Sequence, residues 1–189
     1  MNAFRRFCIA MTVFCSLIAA PGHATGRFDF GKYRQCLRTP LVHYPGTIAE
    51  AAEDTPQLST LFNLVSLAGL GGALSDPNVN LTVYAPTNQA FEALPSALVN
   101  LLVANPTTLL PAVLTYHVSP GSQDPRVSVY PREVRTLQGQ TVFLDYENGQ
   151  GPQINQSTTS CQGVRATNGT VWIIDSVLLP QFVPAAPAR

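Results

Sequence analysis

The sequence predicts an α+β domain: an antiparallel β-sandwich or wedge with several helices packed against one side. Three observations carry this. The hydrophobic period is helical through most of the first half and strand-like after Tyr116. One stretch, Leu81–Phe91, specifies a strand, a break and a helix start within eleven residues. Two Asn-Gly pairs, Asn148-Gly149 and Asn168-Gly169, divide the second half into hairpins.

Arg5 and Arg6 precede an apolar run from Phe7 to Ala20, and Gly22-His23-Ala24 places small residues where a signal peptidase reads. A leader of residues 1–24, cleaved after Ala24, is expected. The run is shorter than the ~20 residues of a spanning helix. Mass spectrometry of the exported chain should therefore find Thr25 at the N-terminus, and no membrane span should remain. Cys8 and Cys15 would leave with the leader, in no setting that suggests lipid modification. Cys36 and Cys161 would stay, an isolated pair that forms one disulfide in an oxidising compartment.

Residues 25–46 read as an irregular lead-in with Phe28, Phe30 and Tyr33 as anchors, and the domain proper as 47–180. Thr47-Ile-Ala-Glu50 is a capping box, opening a short helix that ends near Asp54. Thr55-Pro56 begins another, with Leu58, Leu61, Phe62 and Val65 as its buried stripe. Gly69, Gly71 and Gly72 end it or allow a close approach of two segments. Leu81, Val83 and Ala85 alternate with Thr82 and Tyr84, the pattern of a strand with one strongly buried face. Pro86 has no N–H to continue a ladder. Thr87 or Asn88 can cap the next helix, whose Phe91 and Leu94 share a face.

Pro95 opens a helix bearing Leu98, Leu101 and Leu102, and Asn105-Pro106 stops it. A further helix runs through Leu109, Leu110, Val113 and Leu114 towards Tyr116. Ser119–Ser122 is a turn, and Asp124–Arg135 a loop or weak strand broken by two prolines. Gln140–Glu147 alternates as a strand, followed by the Asn148-Gly149 turn. Asn168-Gly169 joins strands Val164–Thr167 and Thr170–Leu179, and Pro180 ends the sheet. Residues 181–189, rich in Pro and Ala, form a loose tail.

The chain has 189 residues, 46% of them hydrophobic, enough for one good core. Eleven basic and eleven acidic residues cancel, and charged residues total only 12%. With no basic stripe to neutralise phosphates, nucleic acid is excluded as a partner. No residue cluster suggests a metal or a cofactor. A monomer is expected.

Three stretches follow in order: Leu81–Phe91, Leu114-Thr-Tyr-His-Val118, and Ala166–Pro180 with Asn168-Gly-Thr-Val-Trp172 and Asp175 inside it. Together they resemble the signature segments of the fasciclin domain family, over about Thr47 to Pro180. The resemblance implies a secreted, extracellular or periplasmic adhesion and interaction module, not an enzyme, that binds an extracellular or envelope protein or glycan surface. It implies that Tyr116 and His117 hold the signature segments together, and it links the same pair with recognition in animal members. The Asp-Ile pair those members place before the second signature is replaced here by Gly163-Val164, and no Arg-Gly-Asp occurs. The resemblance does not extend to an integrin contact.

Several residues keep two readings. His117 is a core histidine bonded to backbone or to the Thr87/Asn88 corner, or a general base of a small extracellular hydrolase working with Asp145 or Asp175. Asp175 lies on the solvent face of its strand or at a bend. Trp172, the single tryptophan, is a surface-binding aromatic or a core filler. Tyr116, His117 and Trp172 are the candidate binding residues; Thr87, Asn88, His117 and Asp175 are the candidate structural hub. Asn80, Asn155 and Asn168 match the glycan acceptor pattern. An apolar-ligand carrier, with a pocket between helices and sheet, is a third possible role.

Overall fold

The computed structural model describes residues 28–181. The expected leader and its cleavage point, and all of the tail but Gln181, lie outside the described residues. Helix α1 (Phe30–Arg38) starts where the Asp29 carboxylate accepts the Lys32 N–H at 3.0 Å. Strand β1 (Val42–His43) follows and pairs in the sheet. The lead-in is thus not irregular. No apolar stripe marks α1 because Cys36 is its only buried residue. Phe28 and Tyr33 do anchor it, with ring centroids 6.0 and 4.8 Å from Tyr146, whereas Phe30 is exposed.

Helix α2 (Ile48–Glu53) carries the capping box: the Thr47 hydroxyl accepts the Glu50 N–H, and Glu50 accepts the Thr47 N–H. A 3-10 turn at Pro56–Leu58 leads into α3 (Ser59–Leu67). Gly69, at φ +69°, ends it, and Gly71 and Gly72 begin a further short helix, α4 (Gly71–Ser75). After β2 (Leu81–Pro86) come α5 (Asn88–Glu92), α6 (Ser96–Ala104) and α7 (Leu109–Tyr116). The Thr87 hydroxyl caps α5 by accepting the Ala90 N–H. Leu98 and Leu102 pack inward from α6, whereas Leu101, expected in the same stripe, is exposed at the edge of that face.

The second half comprises β3 (Val118–Pro120), a 3-10 turn at Pro125–Val127, β4 (Arg132–Arg135), β5 (Thr141–Glu147), β6 (Gly151–Ile154), β7 (Ser157–Thr158), β8 (Val164–Ala166) and β9 (Gly169–Ile174). Two sheets result, ordered β1-β8-β9-β2-β3 and β4-β5-β6-β7. The α+β class with helices on one side holds. The second sheet is wholly antiparallel, whereas β2 pairs parallel to β9 and β1 parallel to β8.

All six residues of β2 are buried, not one face only. Leu81, Val83 and Ala85 meet the helices, while Tyr84, Trp172 and Ile174 meet Val134, Val142, Leu144 and Ile154 of the second sheet. Thr82 tolerates this because its hydroxyl donates to the Gly121 carbonyl and accepts the Gln123 N–H. Strand β9 stops at Ile174 rather than Leu179: the Asp175 carboxylate takes the Thr158 N–H at 2.9 Å and bends the chain out of the ladder.

The Asn168-Gly169 turn is more than a hairpin. The Asn168 side chain is buried; its oxygen accepts the Ile48 N–H at 2.8 Å and its NH₂ donates to the carbonyls of Leu74 (2.8 Å) and Asp76 (3.0 Å). One amide thereby fixes the start of α2 and the end of α4 to the sheet. A Cβ at Gly169 would lie 1.9 Å from the Leu81 carbonyl oxygen, so only glycine fits there. Burial also removes Asn168 as a glycan acceptor. Asn168→Ala should lower stability by about 2–3 kcal/mol, because the Ile48 N–H is left buried without an acceptor. Urea unfolding checks this, and an unchanged midpoint would refute the pinning role.

Candidate functional site

Helix α7 delivers Tyr116 and His117 to the junction between the sheets. The His117 ring is 2% exposed. Its Nδ1 lies 2.8 Å from the Val113 carbonyl, one turn back, and its Nε2 lies 2.9 Å from the Leu178 N–H. The first nitrogen therefore donates and the second accepts, which fixes a neutral tautomer. Burial pushes the imidazole down to about 4, against the smaller opposing effect of the Val113 bond. The His117 carbonyl accepts the Tyr84 N–H at 2.8 Å, so one residue ties α7, β2 and the C-terminal segment together.

Two expectations need correcting. The ring does not reach the Thr87/Asn88 corner: the Thr87 hydroxyl is spent on Ala90, and the Asn88 amide holds Pro56, Ser59 and Thr60. Nor can it work with Asp145 or Asp175 as a base, since both ring nitrogens are occupied by backbone. Asp175 is exposed at its bend, bonded to the Thr158 N–H and the Ser176 hydroxyl.

Tyr116 and Trp172 are likewise buried. The Tyr116 hydroxyl donates to the Thr141 carbonyl at 3.1 Å and accepts the Asn155 amide at 3.3 Å. Trp172 is 1% exposed, and its indole N–H donates to the Gln123 carbonyl at 3.0 Å. It is a core residue, so the surface-binding reading falls. Arg126 stacks over its ring at 5.0 Å, forks onto Asp124, and donates to the carbonyls of Cys36, Thr39 and Cys161. Sequence reasoning missed this buried arginine: Asp124-Pro125 reads locally as a turn, and the carbonyls of Cys36, Thr39 and Cys161 that Arg126 bonds lie far along the chain. Cys36 and Cys161 form the expected disulfide, with Cα atoms 5.0 Å apart.

The open site lies elsewhere, between the outer face of β5 and the segment from Ser176 to Gln181. Gln140 holds that segment by a reciprocal pair of bonds, its amide donating to the Gln181 carbonyl (2.7 Å) and accepting the Gln181 N–H (2.8 Å). The resulting groove has a volume of about 1270 Å³. Val142, Leu144 and Tyr146 of β5 turn inward, which leaves Phe143 and Asp145 along the groove. Phe143 and Leu179 are each 43% exposed there. The Ser157 and Ser176 hydroxyls meet at 2.6 Å. Asp145 Oδ1 is buried with no hydrogen-bond partner among the described residues. Burial, then the Glu147 charge, raises that carboxyl above its ordinary value.

An exposed Phe143 on the polar face of an alternating strand was the signal available in the sequence. Asn155 also belongs here, at φ +55°, its oxygen accepting the Phe143 N–H. Of the three asparagines that match the glycan acceptor pattern, only Asn80 is exposed; Asn155 is half-buried and Asn168 buried. Among the described residues no group of three His, Cys, Asp or Glu is placed to hold a metal, and no single helix is long and apolar enough to cross a membrane.

Comparison with known proteins gives concordant results. The fasciclin domain model matches residues 56–180. Immunogenic protein MPB70 of Mycobacterium bovis is 39% identical over 142 residues, 70% of this chain and 68% of that relative. Protein sll1483 of Synechocystis is 38% identical over 135 residues, 71% and 73% of the two chains. The cell surface glycolipoprotein MPB83 of M. bovis is 37% identical, and the match spans 60% of its length. A solved domain pair from the insect cell adhesion molecule fasciclin I superposes with a TM-score of 0.59 at 17% identity, covering 72% of this chain and 52% of that one.

Proposed function

The chain belongs to the fasciclin domain family, and from that premise we propose that it is an exported, non-enzymatic adhesion module. It binds a protein or glycan surface of the matrix, cell surface or envelope through the groove beside β5. The groove itself is the observation that carries this reading. It is open, its apolar side chains Phe143 and Leu179 stand exposed, and the Asp145 Oδ1 beside them has no donor among the described residues. Exposed apolar groups rimmed by polar ones mark interaction sites. Export agrees with the disulfide and with relatives named for the cell surface. A hydrolase receives no support from His117, whose nitrogens are both spent on backbone.

The test is adhesion of purified protein to isolated envelopes and to matrix-coated surfaces. Phe143→Ser combined with Leu179→Ser should weaken binding by about tenfold or more, the loss typical of central apolar anchors. Melting temperature should change little, since both side chains are already half in solvent. Undiminished adhesion of the double variant, or turnover of ester, peptide or glycoside substrates by the wild type, would overturn the reading.

A further inference from the structure

On the opposite face of the first sheet, helices α2, α3 and α4 do not close completely over β2. They leave a cavity of about 70 Å³, several times the ~10–15 Å³ that one water requires. Its deep wall is formed by Ile48, Val83, Ala85, Leu114 and Val171. Two polar side chains border it, and both are already satisfied. His117 uses its two nitrogens on Val113 and Leu178, and the Thr115 hydroxyl donates to the Pro111 carbonyl. A water needs two to four polar partners, which this wall does not supply. The space suits an apolar occupant.

Apolar lining continues to the surface. Leu137 is 50% exposed, Ala73 is exposed, and Phe62, Leu70 and Gly71 are half-buried. A Cβ added at Gly71 would meet nothing within 4 Å, so the rim is not crowded. No charged side chain lines the cavity, so it offers no anchor for a head group. Its volume is far below the roughly 300–1,000 Å³ of sites that enclose a whole small molecule. A ring system or a complete lipid does not fit, whereas a short string of methylenes does.

We infer that this cavity is a binding site for the methyl end of an unbranched alkyl chain, which enters past Leu137 and α4 and leaves its head group outside. The site is independent of the groove beside β5. The chain can come from a free amphiphile or from a lipid in a bilayer, and the two are separable by experiment.

Methyl-labelled protein is titrated with octyl glucoside below its critical micelle concentration, with glucose as the control. Saturable shifts of Val65, Val83 and Leu114 methyls with octyl glucoside alone are the expected result. Ala49→Leu, which fills the cavity, and Ala73→Phe, which obstructs the exposed rim, should each weaken binding by at least about tenfold. The rim variant keeps the test valid should the core variant fail to fold. Sedimentation with phosphatidylcholine vesicles, lost in the rim variant, assigns the chain to a bilayer; titration by octyl glucoside without vesicle binding assigns it to a free amphiphile. Absent shifts, shifts confined to the Val177, Leu178 and Leu179 methyls of the groove beside β5, or an undiminished affinity in the rim variant would overturn the inference.

Discussion

Replacing His117 with alanine should cost about 3–5 kcal/mol, a large part of the stability of a domain this size. The Leu178 N–H and the Val113 carbonyl both lose their partner in a buried setting, and the packed ring leaves a void. The same histidine makes stability depend on pH. Its imidazole has the ordinary value near 6.5 when unfolded and about 4 when folded, because burial penalises the charged ring. Acid therefore protonates the unfolded chain first. The contribution is complete above about 6.5 and is lost as pH falls towards 4, for a total of about 3 kcal/mol. Urea midpoints at pH 7.5 and 4.5 should fall more in the wild type than in His117→Ala. Equal pH sensitivity in both proteins would refute this assignment, and an unchanged midpoint in the variant would refute the hub.

Loss of the Cys36–Cys161 disulfide should have an effect of similar size. The bond spans 125 residues of sequence, and closing such a loop lowers the entropy of the unfolded chain by the equivalent of about 4–5 kcal/mol. It also holds α1 against the body of the domain, since Cys36 is the one residue that helix buries. Arg126 offsets part of the loss by bonding the carbonyls of both cysteines. The double variant Cys36→Ser, Cys161→Ser should unfold at a clearly lower denaturant concentration and match the wild type in reductant. Coincident unfolding curves for oxidised and reduced wild type would show that the bond contributes nothing.

Local chemistry made much of this fold legible. The Thr47–Glu50 box, the Thr87 cap and the Gly69 stop act over a few residues, so their signals survive in one dimension. What escaped depends on distant partners. Helix α1 has no apolar stripe and is held by a disulfide to residue 161. Strand β2 reads as one-sided because threonine and tyrosine suit either environment, and only the second sheet decides the matter. The candidate site shows the same division. His117 follows Leu110, Val113 and Leu114 at offsets of seven, four and three, which points it inward on a helix, but its partner at Leu178 lies 61 residues on. The groove needed the C-terminal segment to be brought beside β5 by Gln140, a contact no local pattern encodes.

The position of β9 has a kinetic consequence. It lies between β8 and β2 in the middle of the first sheet, although it comes last in sequence of the strands among the described residues. Until residues 169–174 arrive, β2 has a partner on one side only and the sheet lacks its centre. Parallel pairing across so long a stretch of chain is slow to nucleate. Meanwhile β2 leaves an apolar edge open to pairing with other chains. Commitment to the native state therefore waits for residues 169–174, and a chain released before Gly169 lacks the strand that joins β8 to β2.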